Sequence, residues 1–272
     1  MSTEKNAHDK LIVLQNYLKE LESIAVAFSA GVDSSFLLKV AAEVLGGNLL
    51  AVTIDSKFIP RREIEEATEF CRAQNVRHIV CKVDVLNIPS VADNPPNRCY
   101  FCKLNIFTEI KRIAASEGIK NIVEGSNMDD LNDYRPGLQA IKELAIKSPL
   151  QVAELTKAEI RELSREKNLP TADKPSFACL ASRFVYGERL TAENLSKVER
   201  AEKFLFGNGI KQCRVRMHGE NLARIEILSE DFPKFFEQDF RREVWAQFKS
   251  FGFDYVSLDL FGFRSGSMNI KV

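Results

Sequence analysis

Residues 24–55 read IAVAFSAGVDSSFLLKVAAEVLGGNLLAVTID, and this stretch decides the fold. The continuous apolar runs at 24–28 and 49–55 are typical of strands that are buried on both faces. Between them, residues 36–46 have the pattern of a helix that ends near two glycines. A strand, a helix and a second strand in this order predict two parallel strands joined by a crossover helix.

The same alternation continues along the N-terminal part of the chain. It predicts helices near 61–74, 103–116 and 156–168 and strands near 78–83 and 121–124. Thr156 and Glu159 would form a capping box at the start of the last of these helices. Repeated alternation of strands and helices indicates an α/β fold, a parallel sheet with helices on both faces.

The pattern changes after Thr191. Here the sequence predicts helices near 191–207 and 232–250 and strands near 210–217, 222–228 and 254–260. These elements are typical of a smaller α+β unit. We therefore predict two domains, residues 1–180 and residues 181–272.

The chain has 272 residues, of which 45% are hydrophobic and 28% charged, a composition typical of globular proteins. The 38 basic and 38 acidic side chains give a net charge of +0, which excludes nucleic-acid binding by bulk positive charge. No apolar run approaches the roughly 20 residues that span a bilayer, and the start of the chain is polar. We expect a cytoplasmic protein without nucleic-acid or membrane partners, whose six cysteines are reduced.

The SAGVDSS loop, residues 29–35, joins the first strand to the first crossover helix. Its backbone N–H groups, its hydroxyls and the helix N-terminus can bind an anion. An aspartate beside an anion is explained if Mg²⁺ bridges the carboxylate to a phosphate. The alternative is that serine and aspartate only cap the helix. The predicted nucleotide-binding residues are Ser29, Ala30, Gly31, Val32, Asp33, Ser34, Ser35 and, after the next strand, Asp55.

A second polar loop, GSNMDDLNDYRPG at 125–137, directly follows the predicted strand at 121–124. Ligands of parallel sheets lie at the carboxyl ends of the strands, so this loop is also a candidate for the site. Within it, Asp130 is a candidate ligand of Mg²⁺, and Tyr134 and Arg135 could line the nucleotide or substrate pocket. DYRPG could equally be a structural turn.

Three cysteines lie in predicted loops. Cys99 and Cys102 form a C-x-x-C at the end of the loop 91–102, and Cys179 lies in the long loop 169–190. A dithiol switch would need no third cysteine, whereas structural zinc would need a fourth ligand. Candidates for that ligand are Cys71, Cys81 and His78, which the pattern places in a helix and a strand. The simpler interpretation of Cys71, Cys81 and Cys213 is that they are core residues. Three thiolates could instead hold an iron–sulfur cluster with one iron open, and the spacing leaves all three possibilities open.

Alternation along the predicted strand 210–217 places Arg214 and Arg216 on one face. The next strand adds Arg224 and Glu226 to the facing surface. Two serine-containing loops supply Ser182, Arg183 and Arg264. Arginine suits bidentate binding of carboxylate or phosphate, so the group predicts an anion site. A strand face exposed to solvent is the alternative.

The SAGVDSS loop resembles the SGGxDS motif of the PP-loop ATP pyrophosphatases, a group that includes GMP synthetase, with Ala30 where the motif has glycine. The resemblance implies cleavage of ATP between its α and β phosphates, which yields an adenylated substrate and pyrophosphate. The chain has neither the GK[ST] of a Walker A loop nor the G-x-G-x-x-G of a dinucleotide-binding loop.

Further segments make the chain similar to the LarE family of ATP-dependent sulfur transferases. These are DLNDYRPG at 130–137, ASRFVYG at 181–187, CRVRMH at 213–218, ARIEI at 223–227 and LDLFGFRSGSMN at 258–269. The resemblance implies a role in making the nickel-pincer nucleotide cofactor of lactate racemase. It also implies a homo-oligomer and a substrate, pyridinium-3,5-biscarboxylate mononucleotide, whose carboxylate is adenylated and converted to a thiocarboxylate.

One departure separates this chain from the LarE type that gives up the sulfur of a single cysteine. Cys179 here has Cys99 and Cys102 as companions, which resembles the cluster-bearing members of the family. The resemblance implies a 4Fe-4S cluster with an extra sulfide, beside ATP and Mg²⁺ held by Asp33 and Asp130. The substrate would be held by Ser182, Arg183, Arg214, Arg216, Glu226, Arg264, Tyr134 and Arg135.

Other functions are compatible with the same residues. A PP-loop enzyme that thiolates tRNA would also use three cysteines. A LarE-type transferase could use Cys179 as a sacrificial sulfur donor. A zinc-stabilised ATP-binding regulator would carry out no transfer, and an ammonia-using ligase is disfavoured because no glutaminase domain is evident.

Overall fold

The protein is described by a computed structural model over three stretches of the chain, residues 6–132, 136–175 and 178–268. Tyr134 and Arg135, which the sequence assigns to the candidate pocket, lie outside these described residues. Within the described stretches, none of the helices is long and apolar enough to cross a membrane.

Contacts between residues divide the chain into two units, each made of two segments. Unit 1 consists of Met1–Val83 and Cys99–Phe177, and unit 2 consists of Asp84–Arg98 and Ala178–Val272. The predicted division after residue 180 differs from this one at residues 178–180 and by the segment 84–98, which contacts the C-terminal part of the chain. One of its attachments is the hydrogen bond from Leu190 N to Ala92 O, 2.7 Å. The segment is largely loop and lacks the periodicity from which a sequence pattern could assign it to a domain.

Unit 1 is built on a parallel sheet. Its strands are β1 (Ile24–Ala27), β2 (Leu49–Asp55), β3 (Arg77–Lys82) and β4 (Asn121–Val123). They pair in the order β3-β2-β1-β4, and every pair is parallel. The two central strands are almost entirely apolar and buried, as expected for strands covered on both faces. The predicted α/β class is confirmed.

Helices cover both faces of this sheet. They are α1 (Ala7–Glu20), α2 (Val32–Leu45), α3 (Arg61–Ala73), α4 (Arg98–Ser116), α5 (Gly137–Glu143), α6 (Pro149–Val152) and α7 (Lys157–Glu166). One apolar core includes Leu14, Phe36 and Leu163, and a second includes Phe107 and Ile110. The predicted capping box is confirmed, because Thr156 and Glu159 exchange hydrogen bonds at the start of α7.

The strand order places a topological switch point between β1 and β4. The chain runs from β1 through β2 to β3 on one side and then returns to β4 on the other side of β1. In open parallel sheets, the loops that follow the strands on either side of such a point enclose the ligand crevice. Here these loops are SAGVDSS and the loop after β4, the two that the sequence predicts.

Unit 2 contains a small mixed sheet. Its elements are α8 (Ala192–Gly207), β5 (Cys213–His218), β6 (Leu222–Ile227), α9 (Phe232–Phe236), α10 (Gln238–Phe251) and β7 (Tyr255–Leu258). Strands β5 and β6 are antiparallel, whereas β6 and β7 are parallel. The predicted α+β character is confirmed, but the single helix predicted near 232–250 is wrong. The extended backbone of Glu237 divides it, and the Phe235 and Phe240 rings then meet edge to face at 5.1 Å.

Candidate functional site

The SAGVDSS loop is held by its own hydrogen bonds. Ser29 Oγ lies 3.1 Å from Ser34 Oγ, which donates to the Gly31 carbonyl at 3.2 Å. Ala30 has a φ of +53°, in the left-handed region that favours glycine, which accounts for the glycine in the related motif. Helix α2 begins at Val32 rather than at the predicted residue 36, so half of the loop is helical. Amides of such a first turn have no intrahelical acceptor and can bind phosphate.

The loop after β4 packs directly against the SAGVDSS loop. A Cβ atom on Gly125 would lie 3.0 Å from Ser34 N, so a larger residue would push the two loops apart by a few tenths of an ångström. Asn127 Nδ2 donates to Asp33 Oδ1 at 3.2 Å. The two loops that the sequence predicts at one sheet edge therefore touch each other.

The two aspartates predicted to hold Mg²⁺ share Asn127 as a partner. Asp130 Oδ2 accepts a hydrogen bond from Asn127 N at 3.0 Å, while Asp33 contacts the Asn127 side chain. Asp33 Oδ2 also lies 2.5 Å from Lys157 Nζ, and both of these side chains are about one-quarter exposed. Carboxylate oxygens suit Mg²⁺, and a partly exposed ammonium can be replaced by a cation, so Asp33 fits this ion.

Two lysines at the SAGVDSS loop are absent from the sequence-based prediction. Lys157 pairs with Asp33, and Lys174 Nζ donates to the Ala30 carbonyl at 3.0 Å. Lys157 is the first residue of a predicted helix and Lys174 lies in a predicted loop, so neither belongs to a recognisable motif. Asp55, which the sequence assigns to the nucleotide site, ends β2 and pairs with Arg61 at 2.8 Å.

The C-x-x-C is helical, which corrects the predicted loop at 91–102. Helix α4 begins at Arg98, so Cys99 and Cys102 are its second and fifth residues. A turn precedes the helix, in which Arg98 N donates to Pro95 O at 2.9 Å. Both thiols are half-buried.

Cys179 also is half-buried and directly precedes a short 3-10 helix, Leu180–Arg183, in unit 2. Thiols suit iron–sulfur clusters chemically. Among the residues that the structure describes, however, no three Cys, His, Asp or Glu side chains form a group that could hold a metal ion. Shared metal ligation by the three cysteines stays a prediction.

The remaining cysteines are largely structural. Cys71 and Cys213 are buried as predicted, and burial raises the pKa of the Cys71 thiol to about 12. The predicted core position of Cys81 is wrong: this residue is only half-buried, because β3 is an edge strand of the sheet. His78 Nε2 lies 2.8 Å from Thr53 Oγ1.

In unit 2, Arg183 and Glu202 form a buried bidentate pair. Arg183 Nε and Nη2 donate to the two Glu202 oxygens at 2.8 and 2.9 Å. Burial lowers the pKa of Arg183, but the Glu202 carboxylate outweighs this effect and raises it. Arg183 Nη1 also donates to Cys179 O at 3.1 Å, and Ser182 Oγ donates to the same carbonyl at 2.8 Å. The guanidinium therefore fixes the backbone beside Cys179.

The two arginines of β5 are buried, which excludes a solvent-exposed strand face. Arg216 Nε donates to Glu226 at 3.0 Å, and its Nη1 donates to Ser182 O at 3.0 Å. Ser267 Oγ accepts from Arg216 at 3.0 Å and donates to Glu226 at 2.8 Å. Glu226 is fully buried and forms an ion pair with Arg216 at 2.8 Å, so it orients this arginine.

Arg214 lies in an environment that disfavours its positive charge. Burial, together with the nearby Arg183, lowers the pKa of Arg214 to about 10. Its guanidinium stacks on the Phe263 ring at 5.1 Å and donates to Cys213 O at 2.8 Å. A bound anion would offset this disadvantage.

Arg264 occupies the margin of the predicted arginine group. It is 41% exposed, lies over the Phe261 ring at 5.0 Å and approaches Asp259 at 3.7 Å. Arg224 contacts the same aspartate and also lies 3.1 Å from Glu226. Arg264 is therefore linked to the β6 charges through Asp259, and its role in binding stays a prediction.

No family model matches the chain, but individual proteins do. An uncharacterized protein of Synechocystis sp. is 41% identical over 260 residues, which cover 96% of this chain and 97% of that protein. The pyridinium-3,5-bisthiocarboxylic acid mononucleotide synthase of Lactiplantibacillus plantarum is 37% identical over 253 residues, 93% of this chain and 91% of that protein. Both similarities include the two units.

A more distant similarity covers part of the chain. One subunit of the glutamine-hydrolyzing GMP synthase of Thermoplasma volcanium is 28% identical over 178 residues, 60% of this chain and 56% of that protein. GMP synthetases are among the proteins whose loop motif SAGVDSS resembles. This similarity is therefore consistent with the parallel sheet of unit 1 and with a PP-loop type of loop after β1.

Proposed function

This chain belongs to the LarE family, and we propose that it is an ATP-dependent sulfur transferase that acts on pyridinium-3,5-biscarboxylate mononucleotide. The observation that carries the proposal is the similarity to a named synthase over nine-tenths of both chains. The name of that relative states a product with two thiocarboxylates. The corresponding reaction here replaces a carboxylate oxygen by sulfur, for the nickel-pincer cofactor of lactate racemase or of a related enzyme.

The exchange needs activation, because a carboxylate is a poor electrophile. A carboxylate oxygen of the substrate attacks the α phosphorus of ATP, the bond from that phosphorus to the bridging oxygen breaks, and pyrophosphate leaves. The acyl adenylate then carries AMP as its leaving group. A sulfur nucleophile at the oxidation level of sulfide forms the carbon–sulfur bond, AMP departs with the oxygen, and a proton is released.

The SAGVDSS loop would bind the ATP phosphates. First-turn amides of α2 are the donors, the Ser29 and Ser34 hydroxyls would rotate from their present hydrogen bonds towards the phosphates, and Gly125 lets the neighbouring loop pack against this turn. Mg²⁺ held by Asp33 would neutralise the leaving pyrophosphate. Asp33 would exchange its ion pair with Lys157 for the cation, and Asp130 would keep Asn127 in place.

The arginines of unit 2 would hold the substrate. Arg214 and Arg216 are fixed on β5, and a phosphate or carboxylate would offset the charge that burial disfavours on Arg214. Arg183 and Ser182 set the backbone beside Cys179. Arg264, which is more exposed, would contribute to the margin of the site. Positioning of this kind turns a bimolecular step into an effectively unimolecular one.

The most detailed part of the proposal is the identity of the sulfur donor. A 4Fe-4S cluster held by Cys99, Cys102 and Cys179 would supply a sulfide at its open iron and permit repeated turnover. The half-buried state of all three cysteines supports this assignment. The alternative donor is Cys179 itself, which would end as dehydroalanine after a single event.

The first test is the reaction with the chemically prepared biscarboxylate nucleotide, ATP and MgCl₂ under anaerobic conditions with a sulfide source. We expect pyrophosphate and AMP in equal amounts and a product in which sulfur replaces oxygen, by mass spectrometry. Pyrophosphate release without the substrate, or none with it, would contradict the proposed adenylation.

The second test separates the sulfur sources. Anaerobically purified protein and its Cys99→Ala, Cys102→Ala and Cys179→Ala variants are compared for iron, zinc and acid-labile sulfide. Loss of iron and sulfide in each variant supports the cluster. A colourless wild type whose chain becomes lighter by one H₂S after reaction supports Cys179 as the donor.

A further inference from the structure

The Lys174 side chain is largely covered in unit 1, and its ammonium group is held by oxygen atoms from helix α3 and from the SAGVDSS loop. Its Nζ lies 2.7 Å from Glu63 Oε2 and 2.5 Å from Glu66 Oε2, both on α3. It also donates to the Ala30 carbonyl at 3.0 Å. The Lys174 and Glu63 side chains are only 11% and 8% exposed, and lysine is rarely so buried without a specific partner.

The contact with Ala30 determines the direction of one peptide group. The Ala30–Gly31 peptide is planar and trans, so its carbonyl oxygen and the Gly31 N–H point in opposite directions. A carbonyl that faces Lys174 therefore directs the Gly31 N–H to the other side. The same contact helps hold Ala30 at its φ of +53°, which costs more for alanine than for glycine.

The charges around Lys174 indicate whether it orients the Ala30–Gly31 peptide or attracts the ATP phosphates directly. Lys174 faces two carboxylates, and Arg62 Nε approaches Glu63 Oε1 at 3.4 Å. Two positive and two negative charges give this group a formal sum of zero. Lys174 thus presents little net positive charge to an anion, and its geometric effect on Ala30 is its larger contribution.

We propose that Lys174 is a positioning residue of the nucleotide site, which orients the Ala30–Gly31 peptide so that the SAGVDSS loop can bind the ATP phosphates. This inference rests on the proposed ATP-dependent function. Glu63 and Glu66 keep the ammonium in place from α3, and Lys174 contacts the loop backbone through Ala30. No contact between Lys174 and the substrate is required.

The test compares Lys174→Met and Lys174→Arg with the wild type. Binding of MgATP is measured by calorimetry, and the KM for ATP and kcat are measured by pyrophosphate release. We expect Lys174→Met to raise the Kd and the KM for ATP about tenfold, the scale of one hydrogen bond to a charged group, with the KM for the pyridinium nucleotide unchanged. Lys174→Arg should restore most of the affinity.

Two further variants guard against indirect effects. The triple variant Lys174→Met, Glu63→Gln, Glu66→Gln removes the lysine without leaving carboxylates unpaired. It should still bind ATP weakly; wild-type affinity would overturn the inference, because the lysine would then only neutralise the glutamates. Lys10→Met removes a lysine of similar burial that pairs with Glu159 at 2.7 Å. It should lower stability and leave the KM for ATP unchanged.

The outcomes separate this inference from the proposed function. Wild-type protein that does not bind MgATP would overturn the proposed function. Wild-type protein that binds MgATP, beside a Lys174→Met variant that binds it equally well, would overturn the positioning role alone. A tenfold difference that Lys174→Arg reverses supports both.

Discussion

Charged pairs occur at the candidate sites of both units, but their chemistry differs. In unit 1, Lys157 and Asp33 are 27% and 23% exposed and meet through single atoms. In unit 2, Arg183 and Glu202 are 1% and 4% exposed and meet through two parallel hydrogen bonds. Lysine is a point charge on a flexible stem, whereas arginine is a planar fork. We infer that the first site can exchange partners when ATP and a cation arrive, while the second is preformed.

The energetic consequence of this difference follows from burial. A partly exposed ion pair contributes little to stability because water already solvates both charges. A buried pair contributes little in net terms, but removal of one partner leaves a charge that nothing solvates. Substitutions in unit 2 should therefore affect folding most, and substitutions in unit 1 should affect activity most.

The largest effect on stability is expected for Glu202→Ala, which leaves Arg183 buried without its carboxylate. The free energy of unfolding should fall by about 3–5 kcal/mol. Urea unfolding followed by fluorescence of Trp245, the single tryptophan and a residue of unit 2, measures this loss. The double variant Arg183→Met, Glu202→Leu should recover most of it. If Glu202→Ala lowered the free energy of unfolding by less than about 1 kcal/mol, the ion pairs of the two units would not differ in their effect on stability.

Asp33→Asn should reduce activity strongly and stability only slightly, the opposite of what we expect for Glu202→Ala. The free energy of unfolding should change by less than about 1 kcal/mol, because the pair with Lys157 is partly exposed. Pyrophosphate release should fall by about 10²-fold, since the carboxylate that fits Mg²⁺ is lost. The matched control is Glu43→Gln, which removes a similarly exposed pair with Lys167 and should leave activity unchanged. Wild-type rates with Asp33→Asn would exclude a role for Asp33 in the reaction.

Arg214→Met tests whether every buried arginine of unit 2 stabilises the fold. The pKa of Arg214 is lowered to about 10 by burial and by Arg183, so the folded state disfavours its charge. We expect the free energy of unfolding either to rise or, if it falls, to fall by less than about 1 kcal/mol. Binding of inorganic phosphate, measured by calorimetry, should weaken. A loss of stability as large as that of Glu202→Ala would identify Arg214 as a structural residue.

The smallest effect concerns one histidine in each unit. Burial lowers the pKa of His78 in unit 1 and of His218 in unit 2, where Arg224 adds to the effect. The unfolded chain therefore takes up protons first, and the free energy of unfolding should decrease as the pH falls below 6.5. His78→Gln and His218→Gln should each reduce this slope in urea unfolding between about pH 7 and pH 5.5. If the pH dependence of the free energy of unfolding were the same in both variants as in the wild type, its assignment to His78 and His218 would be contradicted.

Local patterns were enough to predict most elements of the fold. Apolar runs predict β1 and β2, and the capping box of Thr156 and Glu159 is confirmed because its hydrogen bonds join residues three apart. The SAGVDSS loop follows β1 as predicted, since small residues are needed at a left-handed backbone position. The wrong predictions concern the ends of helices. Helix α4 begins at Arg98 rather than near residue 103, and Glu237 interrupts the helix predicted near 232–250.

The sequence by itself determined the order of strands and helices, the position of the SAGVDSS loop and the family, because these depend on neighbouring residues and on spacing. The tertiary structure decided which charges are buried and which partners they have. Lys174 reaches Ala30 across 144 positions, and Arg216 reaches Ser267 across 51. Side chains so far apart in the chain meet only after the sheets form, and the free energy of burying a charge depends on those meetings. For this reason, Arg214 and Arg216 could be predicted as a pair on one strand face, but not as buried groups.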